Sequence, residues 1–142
     1  MTEPGAATPL VGIVVVSHSR RLAEGVVELA RQMAGDDVAI EAVGGAADGS
    51  LGTDADGIAA AIGRADRGAG VLILADLGSA ILASQTAIEL LDLPADGQIR
   101  ISAAPIVEGA VIGSVQASIG QDLDEVAAAA EATRTMDKGV EP

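Results

Sequence analysis

Leu10 to Val16 is a near-continuous apolar run, LVGIVVV, rich in branched side chains, which predicts a strand covered on both faces. Behind it Leu22, Val26, Leu29 and Met33 recur at the spacing of one helix face, and Gly35 ends the pattern. VAIEAV, Val38 to Val43, alternates and predicts a second, less buried strand. A glycine-rich stretch runs from Gly44 to Gly52. Thr53 or Asp54 then caps a helix that carries Ile58 and Ile62 on one side. Val71 to Ala75 predicts a third strand, after which DLGS, Asp76 to Ser79, turns into a helix reaching about Leu91. Ile99 to Ala103 predicts a fourth strand, ended by Pro105, and Ile106 to Ser118 reads as helical despite its two glycines. Asp122 with Glu125 forms a capping box for a last, alanine-rich helix.

Strands and helices thus alternate with short connections, which means parallel pairing, right-handed crossovers and helices on both faces of the sheet. The predicted class is α/β: a three-layer α/β/α sandwich around a mostly parallel sheet of four to five strands, flavodoxin-like in outline. The domain is expected over residues 10–135, between a flexible leader (1–9) and a flexible tail (136–142). In such sheets ligands bind beyond the carboxyl ends of the strands, near the point where strand order reverses. Three segments fall at that edge: SHSRR after strand one, GGAADGSLGT after strand two and DLGS after strand three. The single histidine, His18, stands in the first of them.

Composition narrows the chemistry. A chain of 142 residues has the length of one domain. With no Phe, Tyr or Trp, its core must be built from Ile, Val, Leu and Ala, and no aromatic platform exists for stacking a base or sugar. Zero cysteines exclude disulfides, thiolate metal sites and thiol nucleophiles together. A net charge of −13 repels a phosphate backbone, so nucleic acid is not an expected partner. No apolar run approaches the ~20 residues of a membrane span, and MTEPGAATP lacks the basic start and apolar centre of a signal peptide. A cytoplasmic domain without a membrane partner is expected.

Several catalytic templates fail at the sheet edge. SHSRRL is unlike the G-x-G-x-x-G turn of a dinucleotide site, and no G-x-x-x-x-G-K-[ST] loop or G-x-S-x-G elbow occurs. One histidine cannot serve both a triad and a metal, so neither metal nor cofactor is expected. A histidine acting by itself remains. Imidazole offers a nucleophilic nitrogen near neutral pH. A phosphoryl carrier also needs a partner for the second nitrogen and donors for the phosphate oxygens.

If strand three lies beside strand one, Asp76 reaches that second nitrogen, setting the tautomer and stabilising the positive ring. Backbone N–H groups at Gly78 and Ser79 open a helix, a seat for phosphate oxygens. Ser17 and Ser19 flank the histidine with hydroxyls, and Arg20 and Arg21 are two of only eight basic residues. Gly45 and Thr53 of the second loop complete the supporting set. Each has a plainer reading. Asp76 taken alone reads as a helix-capping acid, the glycine-rich loop lacks a lysine, and the two arginines suit a solvated helix start.

VSHSRRLAEGVVELARQM, GTDADGI, DLGSAILASQTAIELL and AAPIVEGAVIGSVQAS resemble the phosphotransferase subunits of PTS-dependent dihydroxyacetone kinases, whose domain belongs with the mannose-type enzyme IIA proteins. The resemblance spans about Val11 to Val126. VSHS and DLGSA favour this branch over the sugar transporters, whose corresponding turn carries a longer glycine-rich sequence. The resemblance implies the mannose-type enzyme IIA fold and a relay. Phosphorylated HPr would donate to His18, and the group would pass to ADP on the nucleotide-binding subunit of the kinase. A separate subunit would hold dihydroxyacetone. It also implies that Asp76 orients His18 and that the chain forms a homodimer. Such a carrier needs one ring nitrogen open at a shallow apolar rim, for which Leu77, Ile81 and Leu51 are candidates. Its negative surface suits a basic-faced donor. Two other classes stand beside this one: an enzyme IIA of a sugar-transporting or regulatory phosphotransferase system, and a non-catalytic interaction domain on the same fold.

Overall fold

A computed structural model describes residues 8–93 and 98–141. The leader expected over 1–9 lies outside the described residues except for Thr8 and Pro9, as does Pro142 of the tail. The described residues form four strands and five helices in the order β1 (Gly12–Ser17), α1 (Arg20–Ala34), β2 (Ile40–Gly44), α2 (Ala55–Ala65), β3 (Val71–Ala75), α3 (Gly78–Leu90), β4 (Ile99–Ser102), α4 (Ile106–Ser118) and α5 (Leu123–Ala132), followed by a 3-10 turn, Thr133–Thr135. All the strand pairs are parallel and the sheet order is β2-β1-β3-β4. The chain leaves β1 toward β2, then returns across it to β3, so strand order reverses between β1 and β3. That is where an open α/β sheet leaves a crevice.

The period-two pattern of the strands explains the two cores. Val11, Ile13 and Val15 point with Leu72 and Leu74 into a layer filled by α1, α4 and α5. Val14, Val16, Val71 and Ile73 point the other way, onto α2 and α3. A strand buried on both sides has no polar face to alternate with, which is why β1 reads as a continuous apolar run. Each fully buried Val, Ile or Leu contributes about 1.5–3 kcal/mol of burial free energy, so these two strands anchor the fold. The outer strand β2 is only half-buried after Ile40, as its alternating sequence predicts.

One expectation is corrected. The face assigned to the first helix is off by about one residue: Leu22, Leu29 and Met33 are 44%, 46% and 61% exposed, and of that set only Val26 is buried. The residues that face the core are Ala23, Val26, Val27 and Ala30. Small side chains let α1 lie close to α4, whose buried face is Gly109, Ala110, Gly113, Ser114 and Ala117, and the larger leucines sit at the border. In an alanine-rich chain the core stripe follows the smallest residues, because close helix approach recovers dispersion contacts that size alone does not. The capping box of α5 is as expected: Asp122 accepts from the Glu125 N–H at 2.9 Å, and the Asp122 N–H donates to Glu125 at 3.2 Å.

Candidate functional site

His18 is the first residue after β1, and Asp76 the first after β3. Because Val16 pairs with Ala75, the two chains emerge from the sheet together at the switch point. The Asp76 N–H still donates to the Val16 carbonyl at 3.2 Å, which holds the two strand ends in line. The ring Nδ1 of His18 lies 2.9 Å from Asp76 Oδ1. Three further donors converge on the same carboxylate. The Ser17 hydroxyl donates to Oδ2 at 2.8 Å, the His18 N–H to Oδ2 at 3.1 Å, and the Leu77 N–H to Oδ1 at 2.7 Å.

Burial is the largest single influence on Asp76 and works against its ionisation. The hydrogen bonds from Ser17, from the His18 ring, from the His18 backbone and from the Leu77 backbone together outweigh it and hold the carboxyl below the ordinary carboxylate range. An ionised carboxylate only accepts, so Nδ1 must carry the ring proton when the neutral imidazole faces it. The lone pair is then on Nε2. Nε2 points at the Ser79 hydroxyl, which donates to it. The two side chains keep limited contact with solvent, 24% for His18 and 14% for Asp76.

Ser79 is the second residue of α3. The N–H groups of the first helical turn have no intrahelical acceptor, so Gly78 and Ser79 offer donors beside the ring. No acidic side chain occupies that turn to compete with an anion. Leu51, Leu77 and Ile81 are exposed.

The second loop supports the histidine from behind. Gly52 N–H donates to the His18 carbonyl at 3.0 Å, and Gly45 N–H to the Ser17 carbonyl at 3.3 Å. Gly45 adopts φ +80°, and the loop closes on itself through Ala46 N–H to the Ser50 carbonyl at 2.8 Å. Gly45 therefore gives its N–H to the scaffold. Thr53 lies half-buried just before Asp54, the N-cap residue of α2, and the contact to the histidine is made by Gly52 instead. Ser19 caps α1 through its hydroxyl, which accepts from the Leu22 N–H at 3.3 Å. Ser17 is buried, with its hydroxyl turned toward Asp76. Arg20 and Arg21 are exposed on the first turn of α1.

Two contributors escape sequence reasoning. Gly52 holds the histidine's carbonyl, and Gly44 lies so close to Ser19 and Arg20 that a Cβ there would collide with their backbone. The double glycine after strand two was the available signal. Among the described residues no group of three His, Asp or Glu side chains could hold a metal ion, and no helix is long and apolar enough to cross a membrane.

The profile of the PTS system fructose IIA component family, EIIA-man, matches residues 12–127, with both His18 and Asp76 inside the matched segment. The chain belongs to this family. Among EIIA-man relatives, the "PEP-dependent dihydroxyacetone kinase, phosphoryl donor subunit DhaM" of Escherichia coli K12 is 42% identical over 120 residues, 82% of this chain. This chain spans only a quarter of that relative's length. The "PEP-dependent dihydroxyacetone kinase 2, phosphoryl donor subunit DhaM" of Listeria innocua is 40% identical over 117 residues, which cover 82% of this chain and 94% of that one. A crystal structure of a protein of unknown function superposes with a TM-score of 0.79 at 37% identity, covering 93% of this chain and 99% of that chain. The mannose-type fold expected from the sequence is thus the fold found.

Proposed function

We propose that this EIIA-man chain is the phosphoryl-carrying subunit of a PEP-dependent dihydroxyacetone kinase, with His18 as the carrier residue. The observation that supports it most is the pairing of His18 Nδ1 with Asp76 at 2.9 Å, which leaves Nε2 as the nucleophile. The Nε2 lone pair attacks the phosphorus of phosphorylated HPr, the new Nε2–P bond forms, and the bond to the donor's nitrogen breaks. The ring becomes positive, and the Asp76 carboxylate beside Nδ1 offsets that charge. The Ser79 hydroxyl turns from the nitrogen to a phosphate oxygen, and the N–H groups of Gly78 and Ser79 donate to the other phosphate oxygens. In the second step an oxygen of the ADP β-phosphate, held on the nucleotide-binding subunit, attacks phosphorus, and the Nε2–P bond breaks.

The names of the relatives support the dihydroxyacetone branch. The chain acts in the cytoplasm, where the partners in this relay reside. The reading includes a homodimer, which the family resemblance implies. With 21 acidic against 8 basic residues, the chain should attract a basic-faced donor, and transfer should slow as ionic strength rises. Equal rates at low and high salt would remove the electrostatic part of this reading.

The test is intact mass after incubation with phosphoenolpyruvate, enzyme I and HPr, alongside His18→Ala. An acid-labile gain of one phosphate, absent from the variant, is expected. Adding the other kinase subunits with ADP should then discharge it. A gain that those subunits fail to discharge would point to a sugar-transporting or regulatory system, and no gain at all would overturn the carrier role.

A further inference from the structure

Ser17 sits at the last position of β1, 1% exposed, with no route to a ligand. Its hydroxyl oxygen accepts the Ser19 N–H at 3.0 Å, and the same hydroxyl lies 2.8 Å from Asp76 Oδ2. These contacts fix where the hydroxyl proton goes. A backbone N–H can only donate, so it occupies a lone pair of Oγ, and the ionised carboxylate can only accept, so the proton of Oγ must point at Oδ2. The result is a one-way chain, Ser19 N–H to Ser17 O–H to Asp76. Ser19 is also the N-cap of α1, so the chain ties the carboxylate to a helix start. The Ser17 carbonyl meanwhile takes the Gly45 N–H, which leaves the residue little freedom to shift.

We infer that Ser17 is a positioning residue: it holds Oδ2 of Asp76 so that Oδ1 faces Nδ1 of His18, and thereby keeps the ring in the tautomer that exposes Nε2. The part of this that concerns transfer rests on His18 being the phosphoryl carrier, whereas the part that concerns the tautomer does not. Among the described residues the Oδ2 atom has one other donor, the His18 N–H at 3.1 Å. Without the hydroxyl, the carboxylate can rotate about its Cβ–Cγ bond, the Nδ1 contact loosens, and the second tautomer gains population. The Ser19 N–H also loses its acceptor.

The experiment uses ring 15N shifts of His18 in the unphosphorylated protein at pH 8, together with phosphorylation rates, for wild type, Ser17→Ala, Asp76→Ala and the double variant. In wild type the ring should show protonated Nδ1 and bare Nε2. Ser17→Ala should move the shifts toward a mixture of tautomers and slow phosphorylation roughly tenfold, the effect of one charge-assisted hydrogen bond. In the Asp76→Ala background the same change should alter the rate by less than about twofold, since a residue acting through another adds nothing once that other is gone.

Unchanged ring shifts in Ser17→Ala, or a full tenfold loss repeated in the Asp76→Ala background, would overturn the inference. A further measurement needs no variant. In the wild-type protein the Ser19 amide resonance should follow the titration of the Asp76 carboxyl carbon, because the two are linked through the hydroxyl. A Ser19 resonance flat across that titration would overturn it even if Ser17→Ala fails to fold. If wild type takes up no phosphate, the carrier reading fails while the ring shifts still decide the role of Ser17.

Discussion

His18 and Asp76 are 58 residues apart in the chain, yet His18 Nδ1 and Asp76 Oδ1 lie 2.9 Å apart. The contact exists because β1 and β3 are neighbours in register, and each residue is the first to leave its strand. Neither residue has a local reason to meet the other. The parallel sheet makes the site, and the crossover through β2 puts it at the reversal of strand order.

Asp76→Asn keeps the shape of the side chain and removes the charged acceptor. The ring then loses the partner that holds the proton on Nδ1, and, on the proposed carrier role, the phosphorylated ring loses its counter-charge. Phosphorylation of His18 should slow on the order of a hundredfold, less than in a hydrolytic triad because this ring does not have to take up a proton. A phosphorylation time course by intact mass measures it. A rate within twofold of wild type would show that the carboxylate does not assist the ring.

The same carboxyl makes stability depend on pH in a defined direction. It is held below its ordinary range in the folded chain, so its ionised form favours folding. An unfolded aspartate titrates near about pH 3.9. The contribution is therefore complete above that pH and is lost as pH falls through the lower folded value. Urea unfolding of wild type and Asp76→Asn should show a stability difference fully developed by about pH 5 and shrinking below about pH 4. A difference that widens with acid would contradict the assigned direction.

Ser79→Ala removes the donor at Nε2 while leaving the helix backbone in place. The residue is exposed, so the fold should lose no more than about 0.5 kcal/mol. The phosphorylated protein loses one hydrogen bond to the phosphate, about 1 kcal/mol, so the phosphohistidine should hydrolyse roughly fivefold faster. Decay of the phosphorylated mass with time tests this. An unaltered lifetime would leave the phosphate held by backbone N–H groups alone.

Gly44 tests the scaffold. A Cβ at this position would meet the Arg20 backbone and the Ser19 carbonyl, neither of which is a flexible side-chain tip. Gly44→Ala should therefore destabilise the chain by about 2 kcal/mol and displace the start of α1, slowing phosphorylation of His18 as well. Gly25→Ala is the control, because nothing lies within 4 Å of a Cβ built there. Thermal melts followed by far-UV circular dichroism separate the two, and equal melts would mean that the loop yields without cost.

What the linear chain determined is everything that depends on local pattern. Branched apolar runs gave away β1 and β3, alternation marked β2 as a less buried strand, and the Asp122–Glu125 spacing announced the cap of α5. Position after a strand put His18 and Asp76 at the same sheet edge, but their meeting depended on strand three lying beside strand one. The face of α1 was not legible, because the core selected alanines over leucines and only close packing against α4 shows why. The division of labour among the serines was not legible either. Ser17, Ser19 and Ser79 are alike as letters, but one hydroxyl is directed to Asp76, one to a helix start and one to Nε2. Those choices depend on which donors and acceptors the folded sheet edge brings within 3 Å or so of each other, and a one-dimensional pattern holds no information about distances across a sheet.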